Sequence, residues 1–511
     1  MKKEMKLSRR ELLRTGAIGG LGLGAYFAAG PSSANAAGTQ SLVVSESPAG
    51  KLEYGVGYNL YDGFQNNKHR ESNPPNPDLG DEAGWAALYR GLDDLRPGII
   101  RYGLPPDTAV GEKPGQIDTQ DVYLEKLARI AGWAGKNGCT ILLDPFSVPK
   151  KFQFPMGPRE QELKKKEQYL DMAARDNDAY ARDFIVPLLR NVLVERNLRA
   201  VKLFNAYNEP LMYGPFTTPG NRPDAFAYYV DMYRAIHSEL RKAGLYPEKI
   251  GLAGVDCIQP SRFPELDFVT RGVDINPYLD VYTIHYYFNR FDWMDPVPFL
   301  SDNMEESMDR QTPRLVDYCR RRGKPLLASE LGWYAEGNDD RLAQQGHQAA
   351  LVVAEMMVRG MNAGLSGFAV WCLIDTGVWR VIWVSHGSLY KSEHLYPMYR
   401  LFSRYARPGS RVFPVKPDPR GWPWQYVHSS ALVTPDEKAV LYAINDHVVA
   451  SRKVRFILPR SWAGRKLTKV IKDNERLGIE AETVQPRESG SNSVIEDVLT
   501  PSSLTAYLEE I

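Results

Sequence analysis

Val201-Lys-Leu-Phe-Asn-Ala-Tyr-Asn-Glu-Pro210 is the stretch around which the chain is organised. It reads as a buried apolar strand that stops at Asn208-Glu209-Pro210, because a proline has no N–H to give to a ladder. Glu209 is thereby set at a strand tip. Lys324-Pro-Leu-Leu-Ala-Ser-Glu-Leu-Gly-Trp333 repeats the pattern: an apolar run delivers Glu330 to its C-terminal end, followed by a glycine that frees the backbone to turn. Two glutamates therefore end two separate strands.

Around these stretches the chain alternates between strand and helix. Strands are predicted at Tyr54–Leu60, Gly98–Arg101, Thr140–Asp144, Val201–Asn208, Ile250–Val255, Val281–Tyr287, Leu326–Glu330 and Phe368–Ile374. Helical periodicity lies between them, near 81–95, 122–137, 179–197, 225–243, 263–271, 305–322, 344–363 and 396–405. Parallel strands need helical crossovers and burial on both faces, so eight such units predict an α/β chain folded as a (β/α)8 TIM barrel. Two Asn/Pro-rich or charged insertions, 62–80 and 145–178, follow the first and third strands and would line the rim that carries function in such barrels. Arg407-Pro-Gly-Ser410 then breaks the last helix, and alternating strands separated by turn residues follow. The expected organisation is a leader over 1–36, a barrel over 37–409 and a small antiparallel β-sandwich over 410–511 with a structural, accessory role.

The leader is read from Lys2, Lys3 and Lys6, then Ser8-Arg9-Arg10-Glu11-Leu12-Leu13, a weakly apolar glycine-rich stretch, and a small-x-small site at Ala34-Asn-Ala36. This is a twin-arginine export signal, so the expected location is secreted, periplasmic or cell-envelope, with no membrane segment in the mature chain. The balance of 63 basic against 62 acidic side chains argues against a nucleic-acid or anionic-membrane partner. The four cysteines, Cys139, Cys257, Cys319 and Cys372, lack metal or redox spacing, and no disulfide is expected. No metal or organic cofactor is called for.

Asn208-Glu209-Pro210, Ser329-Glu330-Leu-Gly332 and His285-Tyr286-Tyr287 between them resemble the strand-four, strand-seven and strand-six signatures of clan A retaining glycoside hydrolases, nearest the cellulase-like family 5 pattern. The likeness covers residues 50 to 410 as motifs in order rather than as continuous identity. It implies Glu209 as acid/base and Glu330 as nucleophile. Acetal cleavage needs a proton for the leaving oxygen and a second group to capture the cationic sugar, work that two carboxyls can share. The same resemblance assigns Asn208 to the sugar hydroxyl beside the reacting carbon and Arg101 to the support of the nucleophile. An arginine buried in a barrel mouth needs an anionic partner, and Glu330 could be one.

His285 and Tyr287 stand two apart on one strand and so share a face. His285 would contact substrate or acid, and the Tyr287 hydroxyl would donate to Glu330. Tyr286 should face the helices. Trp371 is placed as a platform beneath the sugar at the cleavage point, with Trp333, Trp379 and Trp383 as candidates for flanking sugars. The expectation is an exported retaining β-glycosidase acting on a poly- or oligosaccharide. The alternatives are transglycosylation at the same site, or a carbohydrate-binding protein that keeps the barrel without turnover.

Overall fold

The structure, a computed structural model, describes residues 39–60, 81–105, 107–153, 174–209, 225–258, 274–288, 304–333, 346–374, 380–417, 427–474, 480–490 and 492–509. The leader, the insertion 62–80, residues 154–173 of the second insertion, the helix expected at 263–271, Pro210 and Trp379 lie outside the described residues. No helix among the described residues is long and apolar enough to cross a membrane.

Two short strands come first, β1 (Gln40–Val44) and β2 (Gly50–Leu52). The eight barrel strands follow: β3 (Gly55–Leu60), β4 (Ile99–Gly103), β5 (Thr140–Asp144), β6 (Val201–Asn205), β7 (Gly251–Ile258), β8 (Val281–Phe288), β9 (Leu326–Trp333) and β10 (Gly367–Ile374). Neighbouring strands pair in parallel, and β10 returns to β3 to close the barrel. Burial on both faces is what their near-continuous apolar runs require: β3, β4 and β9 are buried at every residue.

The crossovers include α1 (Glu82–Leu95), where Asp81 accepts from the Gly84 N–H at 2.8 Å, and α2 (Val122–Asn137), capped by Asp121 and ended by left-handed Gly138. Later helices are α3 (177–195), α4 (Ala225–Lys242), α5 (305–320), α6 (His347–Ala363) and α7 (Leu395–Tyr405).

The barrel interior is layered. Ile99, Leu142, Leu203, Ala253, Val281, Leu327 and Ala369, one from each strand from β4 to β10, form an apolar floor on which Tyr54 packs. Side chains alternate along a strand, so the residues two further on point into the same interior one layer higher. On β4, β5, β6, β8, β9 and β10 these are Arg101, Asp144, Asn205, Thr283, Ser329 and Trp371. The floor closes one end and the polar layer opens at the other, at the C-terminal ends of the strands.

Strand β6 stops at Asn205, three residues earlier than the decapeptide suggests. The backbone beyond it finds side-chain partners in place of a ladder: the Ala206 N–H donates to Tyr233 Oη at 3.2 Å, and Asn205 Nδ2 donates to the Tyr207 carbonyl at 3.1 Å. The Asn208 N–H goes to the Phe146 carbonyl at 3.1 Å. Glu209 is thus carried by a short bent segment with φ of 47° rather than by the strand itself.

β11 (Ile382–Ser385) and β12 (Ser388–Lys391) make a separate hairpin on the barrel. The strands after it form the second domain: β13 (Ser410–Pro417), β14 (Val427–Val433), β15 (Ala439–Asn445), β16 (Arg452–Leu458), β17 (Leu467–Lys472), β18 (Glu480–Val484), β19 (Arg487–Ser489), β20 (Asn492–Leu499) and β21 (Ser503–Glu509). β13 belongs to two layers: its first half pairs with β14 and its last residues pair with β1. Between the layers lies a separate core that includes Val44, Leu441, Phe456, Trp462 and Tyr507.

The other face of β15, Val440, Tyr442 and Ile444, joins the main barrel core. Both faces of β15 are therefore buried, which explains the unbroken run Ala439–Ile444. One boundary moves: residues 40–52, expected in the barrel, pair with the second domain, β1 parallel to β16 and β2 antiparallel to β13. Such pairing joins segments some 400 residues apart and leaves no local pattern. Cys139, Cys319 and Cys372 are buried and unbridged.

Candidate active site

Arg101 is the centre of the polar layer and is fully enclosed. Its guanidinium pairs with Glu330 on one side and with Asp144 and Asp256 on the other, the Asp256 contact being 2.9 Å. It also donates to Asn59 Oδ1 at 3.0 Å and to Asn208 Oδ1 at 2.6 Å. Arginine only donates, so the Asn208 carboxamide is turned with its oxygen inward and keeps its NH2 as a donor for other partners. The buried charge is stable only because these acceptors surround it. Phe146 lies against it, with the guanidinium carbon 5.3 Å from the ring centre.

Glu330 also accepts from the Tyr287 hydroxyl at 2.6 Å. The expected strand parity holds on β8: His285 and Tyr287 face the interior, and Tyr286 Oη meets Thr312 Oγ1 of α5 at 2.7 Å. His285 Nδ1 lies 2.7 Å from Glu209 Oε1 and 3.6 Å from Glu330 Oε2, and its Nε2 lies 3.2 Å from Asp256 Oδ1. Glu209, His285 and Glu330 each offer an atom to a group whose members all lie within 4.8 Å of one another. The two glutamates therefore converge on one spot.

The surroundings divide the titrating groups. Burial pushes the Glu209 carboxyl up to about 7, with His285 opposing part of the rise. Burial likewise pushes Asp144 up to about 6, against the pull of Arg101. Burial acts the same way on Asp256, but there Arg101 and then His285 outweigh it and hold the carboxyl well below the usual range. Burial alone would lower His285; Glu330 and Asp256 reverse this and raise it to about 10, so the ring is cationic at neutral pH.

Six of the expected site residues thus meet in one place: Glu209, Glu330, Arg101, Asn208, His285 and Tyr287. Trp371 also faces the interior and is half-buried, its ring 6.2 Å from that of Phe146. Trp333 is corrected. It ends β9 rather than lying in a loop, and the two-residue alternation turns it away from Glu330 into the barrel–helix core, where only 8% of it is exposed. Trp383 lies on the β11–β12 hairpin, stacked on Tyr390 at 5.3 Å.

The glycine after Glu330 has a different duty from the one expected. Gly332 stays in the strand, and a Cβ there would come within 2.7 Å of the Tyr287 ring. Its bareness makes room for the tyrosine that reaches Glu330.

Asn59, Asp144, Phe146, Asn205, Asp256 and Ser329 escape the motif reading. Asp144, Asn205 and Ser329 carry a usable signal, each standing two places after a floor residue. Asp256 does not. On β7 that spacing points to Val255, which instead joins the outer core. An extra residue at the register shift between Val255 and Cys257, with φ of 53°, turns Asp256 inward.

No protein-family model matches the chain, and no curated protein matches it in sequence. Solved structures do match its fold. The catalytic domain of the GH30 xylanase C from Talaromyces cellulolyticus superposes with a TM-score of 0.61 at 15% identity, covering 92% of this chain and 100% of that one. The GH39 enzyme from Xanthomonas axonopodis pv. citri gives 0.57 at 13%, covering 94% and 100%. The endo-β1,6-glucanase BT3312 gives 0.57 at 12%, covering 92% and 93%. In fold, this chain is a closed (β/α)8 barrel with a separate antiparallel β domain, similar to those solved glycoside hydrolase structures.

Proposed function

We propose that this protein is an exported retaining β-glycosidase that hydrolyses O-glycosidic bonds of a poly- or oligosaccharide by double displacement. One observation carries the reading: Glu209 and Glu330, both buried, present oxygens no more than 4.8 Å apart at the polar layer of the barrel. Carboxyls about 5–5.5 Å apart suit a covalent intermediate, whereas inversion needs about 6.5–9.5 Å to admit a water between them.

Glu330, held at both oxygens by Arg101 and Tyr287, attacks the anomeric carbon. Glu209 gives its proton to the departing oxygen, then takes one from the water that releases the sugar. A carboxyl raised to about 7 holds a proton to give at neutral pH and can take one back. Asn208 donates to the sugar hydroxyl next to the reacting carbon, and Trp371 offers an indole face to the sugar.

Glu330→Gln keeps the shape and removes the nucleophile, so hydrolysis of aryl β-glycosides and polysaccharides should cease while the melting curve stays cooperative. A fully active Gln variant would end the proposal. Export through the twin-arginine route is supported by Ser8-Arg9-Arg10 and the small-x-small site at Ala34-Asn-Ala36. Replacing Arg9 and Arg10 with lysines should retain the protein in the cytoplasmic fraction, and unchanged export would refute the assignment.

A further inference from the structure

His285 sits between two irregularities of the barrel that no simple strand would contain. On one side, the extra residue of β7 turns Asp256 toward the ring, in a left-handed conformation that costs a non-glycine residue roughly 1 kcal/mol or more. On the other, the register between β8 and β9 shifts between Ile284 and His285, and Ser329 falls in the slipped step. Ser329 donates to Asp256 Oδ1 at 2.6 Å, and the Asp256 N–H is held by Thr283 Oγ1 at 3.0 Å. Two departures from regular pairing thus bring one carboxylate oxygen to 3.2 Å, an ion-pair distance, from the far nitrogen of the histidine whose near nitrogen touches Glu209.

The orientation matters because an imidazole facing a carboxylic acid can do either of two things. A neutral ring with its proton on Nε2 presents a bare Nδ1, which draws the acid's proton onto the oxygen it faces. A doubly protonated ring donates from Nδ1, occupies that oxygen as an acceptor, and leaves the acid proton to the other oxygen.

We propose that Asp256 is a positioning residue for the acid step: its charge at Nε2, added to that of Glu330 near Nδ1, keeps a proton on both nitrogens of His285, so that Nδ1–H donates to Oε1 of Glu209 and the acid proton resides on Oε2. The inference rests on the glycosidase reading above and adds the means by which the proton is presented. The charged groups facing the His285 ring are Glu209 and Glu330 on the Nδ1 side, 2.7 and 3.6 Å away, and Asp256 on the Nε2 side at 3.2 Å, with Glu330 the largest single influence that raises it. Asp256 meets Arg101 at 2.9 Å, is opposed by Asp144, and also accepts from Asn205 and Ser329. Glu209 meets His285 and lies within the field of Glu330, Arg101 and Tyr287. Asp256 is not among the leading direct influences on Glu209, so its effect passes through His285.

The test uses the full-length enzyme labelled with 15N-histidine, His285→Gln identifying the resonance among eight histidines. Wild type should show both His285 nitrogens protonated at pH 7; a ring lacking the Nε2 proton overturns the proposal without any variant. Asp256→Asn, which keeps the shape and removes the charge, should let His285 lose a proton below pH 9. The basic limb of kcat/KM should then move upward by about one pH unit.

Hydrolysis of glycosides with poor leaving groups should fall at least tenfold, while an activated aryl glycoside, which needs no proton, is largely spared. Asp256→Glu should restore both the limb and the leaving-group pattern. In the His285→Gln background, Asp256→Asn should shift nothing further. An Asp256→Asn enzyme with unmoved resonances and limb, or with equal losses on both substrates, refutes the inference. A wild type that cleaves no glycoside sinks the glycosidase reading instead, while the resonances still report on Asp256 and His285.

Discussion

Gly332→Ala offers a quantitative test of how Glu330 is held. The added Cβ would lie 2.7 Å from Tyr287 Cε1, 3.2 Å from Cδ1 and 3.6 Å from Cζ. Carbon atoms settle about 3.5–4.0 Å apart, so the ring must withdraw by about 1 Å. Its hydroxyl, now 2.6 Å from Glu330 Oε2, would move to about 3.6 Å, beyond hydrogen-bond reach. A hydrogen bond to a charged group contributes about 1.5–3 kcal/mol, or roughly ten- to hundredfold in rate if it acts in the transition state.

The assay is kcat and KM on an aryl β-glycoside for Gly332→Ala, Tyr287→Phe and the double variant. If the methyl acts by displacing the hydroxyl, Tyr287→Phe should cost about as much alone, and the double variant should be little worse than either. Overpacking should separately cost about 1–3 kcal/mol of stability. Full activity in Gly332→Ala, or losses that multiply in the double variant, would show that the tyrosine hydroxyl does not act through Glu330.

Activity should depend on the protonated acid and fall as pH rises through about 7, the value to which burial lifts Glu209; a kcat/KM profile flat from pH 5 to 9 would contradict this. The same raised value means that the folded chain holds this proton more tightly than the unfolded one. The stability it contributes is full below the ordinary carboxyl range near 4.5 and lost as pH climbs to about 7, a change of roughly 3 kcal/mol. Glu209→Gln should therefore flatten denaturant midpoints between pH 5 and 8; an unchanged slope would refute it. Arg101→Met should destabilise by about 3–5 kcal/mol at pH 8, where Asp144, Asp256 and Glu330 would be left facing one another. The loss should shrink toward pH 5, because without Arg101 to oppose burial Asp144 takes up its proton more readily than in the wild type. Removing residues 410–511 should leave an aggregating barrel, because α6 is buried on every side from Ala349 to Met361 and Val440, Tyr442 and Ile444 share its core; a soluble, monomeric truncation with a cooperative melt would contradict that.

Much of the barrel was legible because parallel strands buried on both faces must be apolar throughout, and such runs stand out against helical periodicity. All eight fall where the pattern puts them, within a few residues at their ends. Five of the six gathered site residues stand in Asn208-Glu209-Pro210, His285-Tyr-Tyr287 and Ser329-Glu330, and the sixth, Arg101, ends the run Gly98–Arg101; they were legible because these motifs, in this order at or near the ends of apolar runs, resemble those of a known family. Trp333 was misplaced because the run was ended at Glu330, and three more residues of strand reverse the direction a side chain takes.

What the sequence determined by itself was the periodic content: which segments are strands and which are helices. Tertiary structure alone decided the rest. The pairing of residues 40–52 with strands near the far end of the chain, the extra residue that turns Asp256 inward, and the fit of the Tyr287 ring over bare Gly332 all depend on partners remote in sequence. Spacing along one strand carries no information about register against the next, and a one-residue slip in that register changes which side chain faces the site.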